Sequence, residues 1–563
     1  MFETIETEFK KYVMQDADAN MALGGTDFLG DLGDPSLESA EARHKEALAL
    51  LEKIRACKGE TFDQTLDLEL MERSLALDGF FHGLTQHGEP QRRRAPHGVD
   101  GISAGIFQLF VNDERSPSER LDNILSRLQQ APAYLEAERQ VLLEPITRWK
   151  EIELIQGEGI PSLFDTIANW AEQEQYSKLD ELKKAIENCN HALADYLQDL
   201  GQRKSFDSFQ IGEEKVQELL ALRNINRTPS ELAKMAADFM AETKALLNDL
   251  TQKLNNKYNL PEGTSQAELH EHLNEAFAAK LKDGKLDSVL DYYYSEMDSI
   301  QSFINDQKLF DIPAAQNMKI MQTPSFLEPV IPAGAMWPPL ALREGNKTSL
   351  VYLTLKEDEL AEHTELGIPV MMIHEGIPGH HLQFATAALH PSFVRRIYGA
   401  NEHAEGWTTM LEDYMIDQGY IAEDLVDEVR FIAKREMSRL VARVGIDLYF
   451  MTGNKAYLEV GLELDFDSED PFENAAKLLK EATGFTDGRV QAELNWYSTE
   501  QGYPLSYLTG NRMVWEMKQE IESKNLKQLS QLELDQAFHK VYLTSGCMPV
   551  NNLRDVFTHH GYL

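Results

Sequence analysis

The sequence predicts a mainly α protein: a large multi-helix fold with a small β-sheet placed just before the segment that carries its chemistry. Three observations predict this. Apolar residues recur at helical spacing through most of the chain. Six of the 21 prolines fall within residues 311–345. One stretch, Thr348 to Leu355 (TSLVYLTL), is β-branched, aromatic and partly alternating, which is the pattern of a strand.

Up to about residue 310 one helical pattern follows another. Leu121, Ile124, Leu125 and Leu128 form an i, i+3, i+4, i+7 stripe. Ser116-Pro117, just before it, marks a helix entry, since proline suits the first helical position. Leu286, Val289, Leu290, Tyr293, Met297, Ile300 and Ile304 form a second helical stripe. The run Tyr292-Tyr293-Tyr294 within it reads as core packing with one exposed ring, the alternative being a ligand-stacking surface. Arg92-Arg93-Arg94 reads as a solvated loop paired with carboxylates.

The texture changes at 311–345. Pro313, Pro324, Pro329, Pro332, Pro338 and Pro339 stop helices and favour extended or turning backbone. The strand 348–355 follows, and helical patterns resume from about 358. Two halves result, a helical domain at 1–310 and a domain at 311–563 that carries the chemistry and the small sheet. They are expected to pack as one continuous fold. The chain shows no repeat of 20–50 residues and no low-complexity tract.

Composition narrows the function classes. Of 563 residues, 42% are hydrophobic, which is enough for a sizeable core and excludes disorder as the main state. Asp and Glu number 93 against 54 Lys and Arg, a net charge of −39. So acidic a surface makes nucleic acid and anionic membranes poor partners. The three cysteines, Cys57, Cys189 and Cys547, are too few and too dispersed for a disulfide framework or a cysteine zinc site, and read as buried free thiols. No stretch approaches the roughly 18 apolar residues of a spanning helix, and the N-terminus lacks a signal-peptide pattern. The expected location is the cytoplasm, or the periplasm or exterior if a leader has been removed.

The chemically loaded segment is Ile373-His374-Glu375-Gly376-Ile377-Pro378-Gly379-His380-His381-Leu382-Gln383. A His-Glu pair leaving a buried helix suggests the zinc peptidase arrangement, in which two histidines four residues apart share a metal and the glutamate acts as base. Pro378 breaks that regular spacing here. His374 and His381 are seven residues apart, which on an unbroken helix is one face but a rise of roughly 10 Å. His374 and His380 would point to different sides. Two nitrogens each about 2.0–2.1 Å from one zinc lie only a little over 3 Å apart. A straight helix therefore brings neither pair to one ion. Pro378-Gly379 supplies the break: proline removes a helical N–H and glycine permits unusual angles. With the helix interrupted, either His380 or His381 can fold back toward His374. Glu405, in Asn401-Glu402-His403-Ala404-Glu405-Gly406-Trp407, is the acidic candidate for a third ligand. It opens a helical pattern whose apolar stripe is Trp407, Met410, Leu411, Tyr414 and Met415. Glu412 shares its face.

HEGIPGHHLQ followed by AEGW, with a later SYLTG and a terminal GCMPV, resembles the bacterial domain-of-unknown-function family numbered 885, which is grouped with gluzincin-type zinc metallopeptidases. The resemblance covers nearly the whole chain, including RLQQAPAYLEAERQVLL at 127–143. It implies a metallopeptidase-like fold with the small sheet beside the catalytic helix. It also implies His374, His380 and Glu405 as ligands of one Zn²⁺, and Glu375 as general base. It favours His380 over His381 as the second ligand. Glu412 is implied as a group orienting a metal-bound histidine, and Tyr507 of SYLTG as an oxyanion donor. Arg443 and Asp447 match an Arg and an Asp of a later helix, and are read either as part of the site or as a buried i, i+4 ion pair. His381 and Gln383 are placed around the site or on the substrate. The chain departs from the family pattern at Met410, Met451, Gln501 and Tyr503. None of these is a proposed ligand or the base, so the departures bear on substrate choice.

The expected function is a zinc-dependent hydrolase, a metallopeptidase cutting oligopeptides. The alternatives are a metal-dependent amidase on a non-peptide amide, or a non-catalytic metal- or peptide-binding protein. Two imidazoles and a carboxylate with an open position suit zinc best. The strand 348–355 is either an edge that adds an extended peptide to the sheet or an internal structural strand.

Overall fold

Helices make up 67% of this computed structural model. It describes residues 1–323, 334–356, 360 and 363–563, with Ala335 described by its backbone alone. Pro324, Pro329 and Pro332 lie outside the described residues, as do positions 358 and 359, where helical texture resumes.

The Ser116-Pro117 entry opens a helix, Pro117–Val141. Ser116 Oγ accepts from the Glu119 amide, and the Glu119 carboxylate accepts from the Ser116 amide, a capping box. The stripe Leu121, Ile124, Leu125 and Leu128 is buried, in one core with residues of helices Gly98–Val111, Thr147–Gln173 and Leu179–Gln202. The second stripe forms a 3₁₀ turn, Leu286–Ser288, that leads into helix Val289–Gln307. Its tyrosine run packs into the core with one ring exposed. Tyr293 is buried with its hydroxyl 2.7 Å from His363 Nδ1, while the Tyr294 ring is 44% exposed. The arginine cluster pairs with Glu138, Glu89 and Glu144. It is not a solvated loop, however: Arg94 is buried, and Glu138 draws Arg92 inward because it is itself fully buried.

The chain forms two compact units. One comprises Met1–Ile211 with Leu340–Glu344, and the other Gly212–Thr323, residues 334–339 and Gly345–Leu563. The texture change near 310 is a different property: it marks where the second unit's sheet begins.

That sheet has strands β1 (Gln316–Gln322), β2 (Gly334–Trp337) and β3 (Lys347–Leu353) in the order β1-β3-β2. β3 runs parallel to β1 and antiparallel to β2. β3 is buried along nearly its whole length, and its apolar part, Leu350 to Leu353, is that of a strand covered on both faces. Paired with β1 from Lys347 to Leu353 and with β2 from Leu350 to Leu353, it is the central strand among the described residues, not an edge that adds a peptide. The internal reading is the correct one.

Helices α1 (Gly367–Glu375) and α2 (His380–Ala387) follow. Next come α3 (Asn401–Asp417), α4 (Val426–Thr452), α5 (Asp487–Thr499) and α6 (Ser506–Asn525). The predicted stripe on α3 is buried throughout. α3 and α6 touch through glycines. A Cβ on Gly406 would lie 2.5 Å from the Gly510 carbonyl carbon, and one on Gly510 would overlap the Glu402 carbonyl oxygen. Only hydrogen side chains let two helix backbones approach this closely. All three cysteines are buried and free. No helix among the described residues is long and apolar enough to cross a membrane.

Gly510→Ala is expected to cost about 1–3 kcal/mol by overpacking this contact. Gly159→Ala, in the helix Thr147–Gln173 with open space at its Cβ, should instead stabilise by about 0.5–1 kcal/mol. Urea midpoints of the two variants check the opposite signs.

Candidate metal centre

α1 ends just after His374, and α2 begins at His380. Between them Gly376 and Gly379 take non-helical angles, and the Ile377–Pro378 peptide is cis. The break is tight: a Cβ on Gly379 would overlap the carbonyl oxygens of Ile373 and His374. The fold-back sets the His374 and His380 rings 4.9 Å apart and nearly perpendicular, at 81°. α3 supplies Glu405, whose Oε2 lies 3.7 Å from His374 Nε2 and 3.4 Å from His380 Nε2. One ligand atom from each residue fits within a 4.8 Å span, and among the described residues this is the one such group.

These separations suit three donors around one small cation, since zinc ligands about 2.0–2.1 Å from the metal lie a little over 3 Å apart. A second observation supports the fit. Glu405 Oε2 is buried with no hydrogen-bond partner, a costly state for a carboxylate oxygen unless a cation meets it. The electrostatics agree. Burial alone would lower the proton affinity of His374, but Glu405 and Glu412 outweigh it and push its pKa up to about 10. Burial alone would raise Glu405, but His380 and His374 hold it well below the usual carboxylate range. The pocket calls for positive charge.

Glu412, seven residues after Glu405 on α3, lies 2.7 Å from His374 Nδ1. With the proton on Nδ1 donated to Glu412, the Nε2 lone pair is left free for a metal ion, the arrangement usual for metal-bound histidines. His380 stacks on Phe384 at 5.5 Å, and its Nδ1 is buried without a hydrogen-bond partner. His381 is held elsewhere. Its Nδ1 is 2.7 Å from Ser349 Oγ on β3 and its Nε2 is 2.6 Å from Gln316 Oε1 on β1. Both ring nitrogens bind the sheet, and burial lowers its pKa to about 4, so it stays neutral. Gln383 is also outside the donor set: it donates to the His403 carbonyl on α3.

Glu375 ends α1, partly buried. Tyr507, in the first turn of α6, keeps its proton mainly because of burial and then the Glu405 carboxylate, and Glu375 adds to the effect. Arg443 on α4 lies under the Tyr507 ring, 4.4 Å from its centroid. Its guanidinium donates to Tyr497 Oη at 2.9 Å and to Glu493 at 3.0 Å, both on α5. Asp447 accepts from the Gly502 and Leu505 amides at 2.9 and 3.0 Å. Burial pushes its carboxyl up to about 7. Arg443 and Asp447 thus engage different partners rather than forming the i, i+4 pair.

Some contributors escaped sequence reasoning. In the sequence Tyr503 stands out only as a departure from the family pattern, yet its hydroxyl donates to Glu405 Oε1 at 2.8 Å. Glu493 and Tyr497 carried only an i, i+4 spacing as a signal. Ser349 and Gln316 carried none, because each acts across the sheet. The indole of Trp407 donates to the Pro378 carbonyl at 2.9 Å, which ties the helix break to α3.

A family profile described as "Bacterial protein of unknown function (DUF885)" matches residues 19–556. Among curated proteins none matches the sequence. Two solved structures are similar in fold. A protein of Shewanella oneidensis, provisionally described as a lipoprotein of unknown function, has a TM-score of 0.76 at 18% identity, covering 99% of this chain and 100% of its own. A protein of Colwellia psychrerythraea, provisionally described as a lipoprotein, has a TM-score of 0.75 at 16% identity, with 99% of each chain covered.

The geometry separates the two adjacent histidines. In thermal melts of metal-free protein titrated with zinc, wild type and His381→Ala are expected to gain stability, and His380→Ala is not. Before zinc is added, His381→Ala should already be about 1–3 kcal/mol less stable, because it strands buried groups of the sheet.

Proposed function

The chain belongs to the DUF885 family of bacterial proteins, and from that premise we propose that it is a zinc-dependent hydrolase, a metallopeptidase cutting amide bonds of oligopeptides. One observation carries the reading: His374, His380 and Glu405 converge on a single point, with the buried Glu405 Oε2 otherwise unpartnered. The gluzincin-type grouping suggested by the sequence motifs supports it. Glu375 supports it further, since a protein that only bound metal would need the ligands and not a base beside them.

When bound at these three residues, the ion would polarise the scissile carbonyl and acidify water. The chain's own residues supply the rest. Glu375 takes the proton of the attacking water and delivers it to the leaving amine. Tyr507, protonated throughout the working range, donates to the oxygen on which charge develops. Arg443 supports the Tyr507 ring, and Glu412 orients His374. A non-peptide amide would be cut by the same groups, so a product profile over a peptide library separates peptidase from amidase. Location is open to the same kind of test. The free thiols accord with the cytoplasm, and the lipoprotein description of the two solved neighbours accords with the cell envelope. Cell fractionation decides between them.

Glu375→Gln should retain zinc and lose about 10²–10⁴-fold in kcat, measured by mass spectrometry on a mixed peptide library. Near-normal turnover with zinc bound removes it as the base. Tyr507→Phe should lose about 10²–10³-fold, mainly in kcat with KM little changed. An unchanged kcat removes it from the oxyanion role.

A further inference from the structure

We propose that Tyr503 is a positioning residue of the metal centre: its phenol engages Oε1 of Glu405, so that only Oε2 is offered to the ion. The inference rests on the metal-centre reading above and adds a device that sets how the carboxylate binds.

The two oxygens of Glu405 are in different states. Oε1 accepts the Tyr503 hydroxyl at 2.8 Å, and Oε2 is buried without a hydrogen bond, close to both imidazoles. A carboxylate with both oxygens free can grip a cation through either or both. Bidentate binding would use up the coordination position that a hydrolytic centre keeps for water and substrate. One oxygen held by a phenol favours binding through the other alone.

Tyr503 is itself held firmly. The Trp496 ring meets it edge-on at 5.3 Å, and the Tyr507 ring lies 5.9 Å away. Its loop is gripped from two sides. Asp447, fully buried on α4, accepts from the amides of Gly502 and Leu505 on either side of it. Arg223 donates to the Gly502 carbonyl and, at 2.6 Å, to Ser506 Oγ. The same guanidinium pairs with Glu402, one turn before Glu405 on α3. Gly502, at φ +85°, permits the turn that starts the loop. The ligand's helix and the phenol's loop thus share one anchor. This gives a physical role to Asp447, whose hydrogen bonds go to this loop and not to Arg443 or the ligands.

The test uses the full chain and zinc alone, with affinity read by chelator competition and geometry read from the visible spectrum of the Co²⁺-substituted protein. Tyr503→Phe removes one hydroxyl and keeps the ring packing. It should weaken zinc binding about 10–100-fold and move the Co²⁺ spectrum toward the weaker absorption of higher coordination. A lower Tm with wild-type affinity and spectrum would reduce Tyr503 to a packing role and overturn the proposal. Should that variant fail to fold, Asp447→Asn decides. It loosens the loop and leaves the phenol in place, so weaker zinc binding supports the proposal and unchanged binding overturns it. Wild-type protein that takes up no zinc would remove the metal centre itself and this inference with it. Wild type that binds one ion while both variants match it would remove only the positioning role.

Discussion

The candidate site depends on one backbone feature, the interruption between Glu375 and His380. Two imidazoles six positions apart cannot meet on a continuous helix, because the rise alone separates them. Here the chain leaves the helix at Gly376, passes a proline, and re-enters at His380 with Gly379 pressed against the carbonyl oxygens of the preceding turn. No larger residue fits at that point. The proximity of the two rings is therefore a property of the main chain, and the side chains need only follow it.

Such a break would be soft without support, and the support comes from the other motifs. Each residue of Glu405-Gly406-Trp407 has a separate task. Glu405 faces the imidazoles, Gly406 lets α3 lie against α6, and Trp407 donates to the Pro378 carbonyl inside the break. His381 ties the start of α2 to two strands of the sheet. The sheet thus serves as an anchor for the second helix of the pair. Glu405, Trp407, His381 and Ser349 are buried, where a hydrogen bond left unmade is costly, so the parts hold one another in register.

Much of this was legible in the sequence, for identifiable reasons. The helical stripes, the entry at Ser116-Pro117 and the strand near 348–355 are local patterns, and local patterns survive folding. The need for a break followed from helix geometry alone, and the convergence of His374, His380 and Glu405 is what that break makes possible. Other features were not legible because they depend on what lies across from a residue. A strand's own sequence does not say whether both edges are paired, and β3 proved internal. The arginine cluster read as solvated because Glu138, which holds Arg92, and Glu144, which holds Arg94, are distant in sequence. His381 and His380 have the same chemistry, and only the sheet's position tells their environments apart. Tyr503 reads in the sequence as a substitution bearing on substrate choice, and only the fold brings its hydroxyl to Glu405.

The glycine seam between α3 and α6 has a mechanical consequence. With Gly406 and Gly510 meeting backbone to backbone, the two helices have no side-chain cushion on which to slide. Glu405 rides on one and Tyr507 on the other, so the acid and the phenol behave as fixtures of a single rigid block. Any opening or closing around a guest molecule must then come from parts that are not welded to that block.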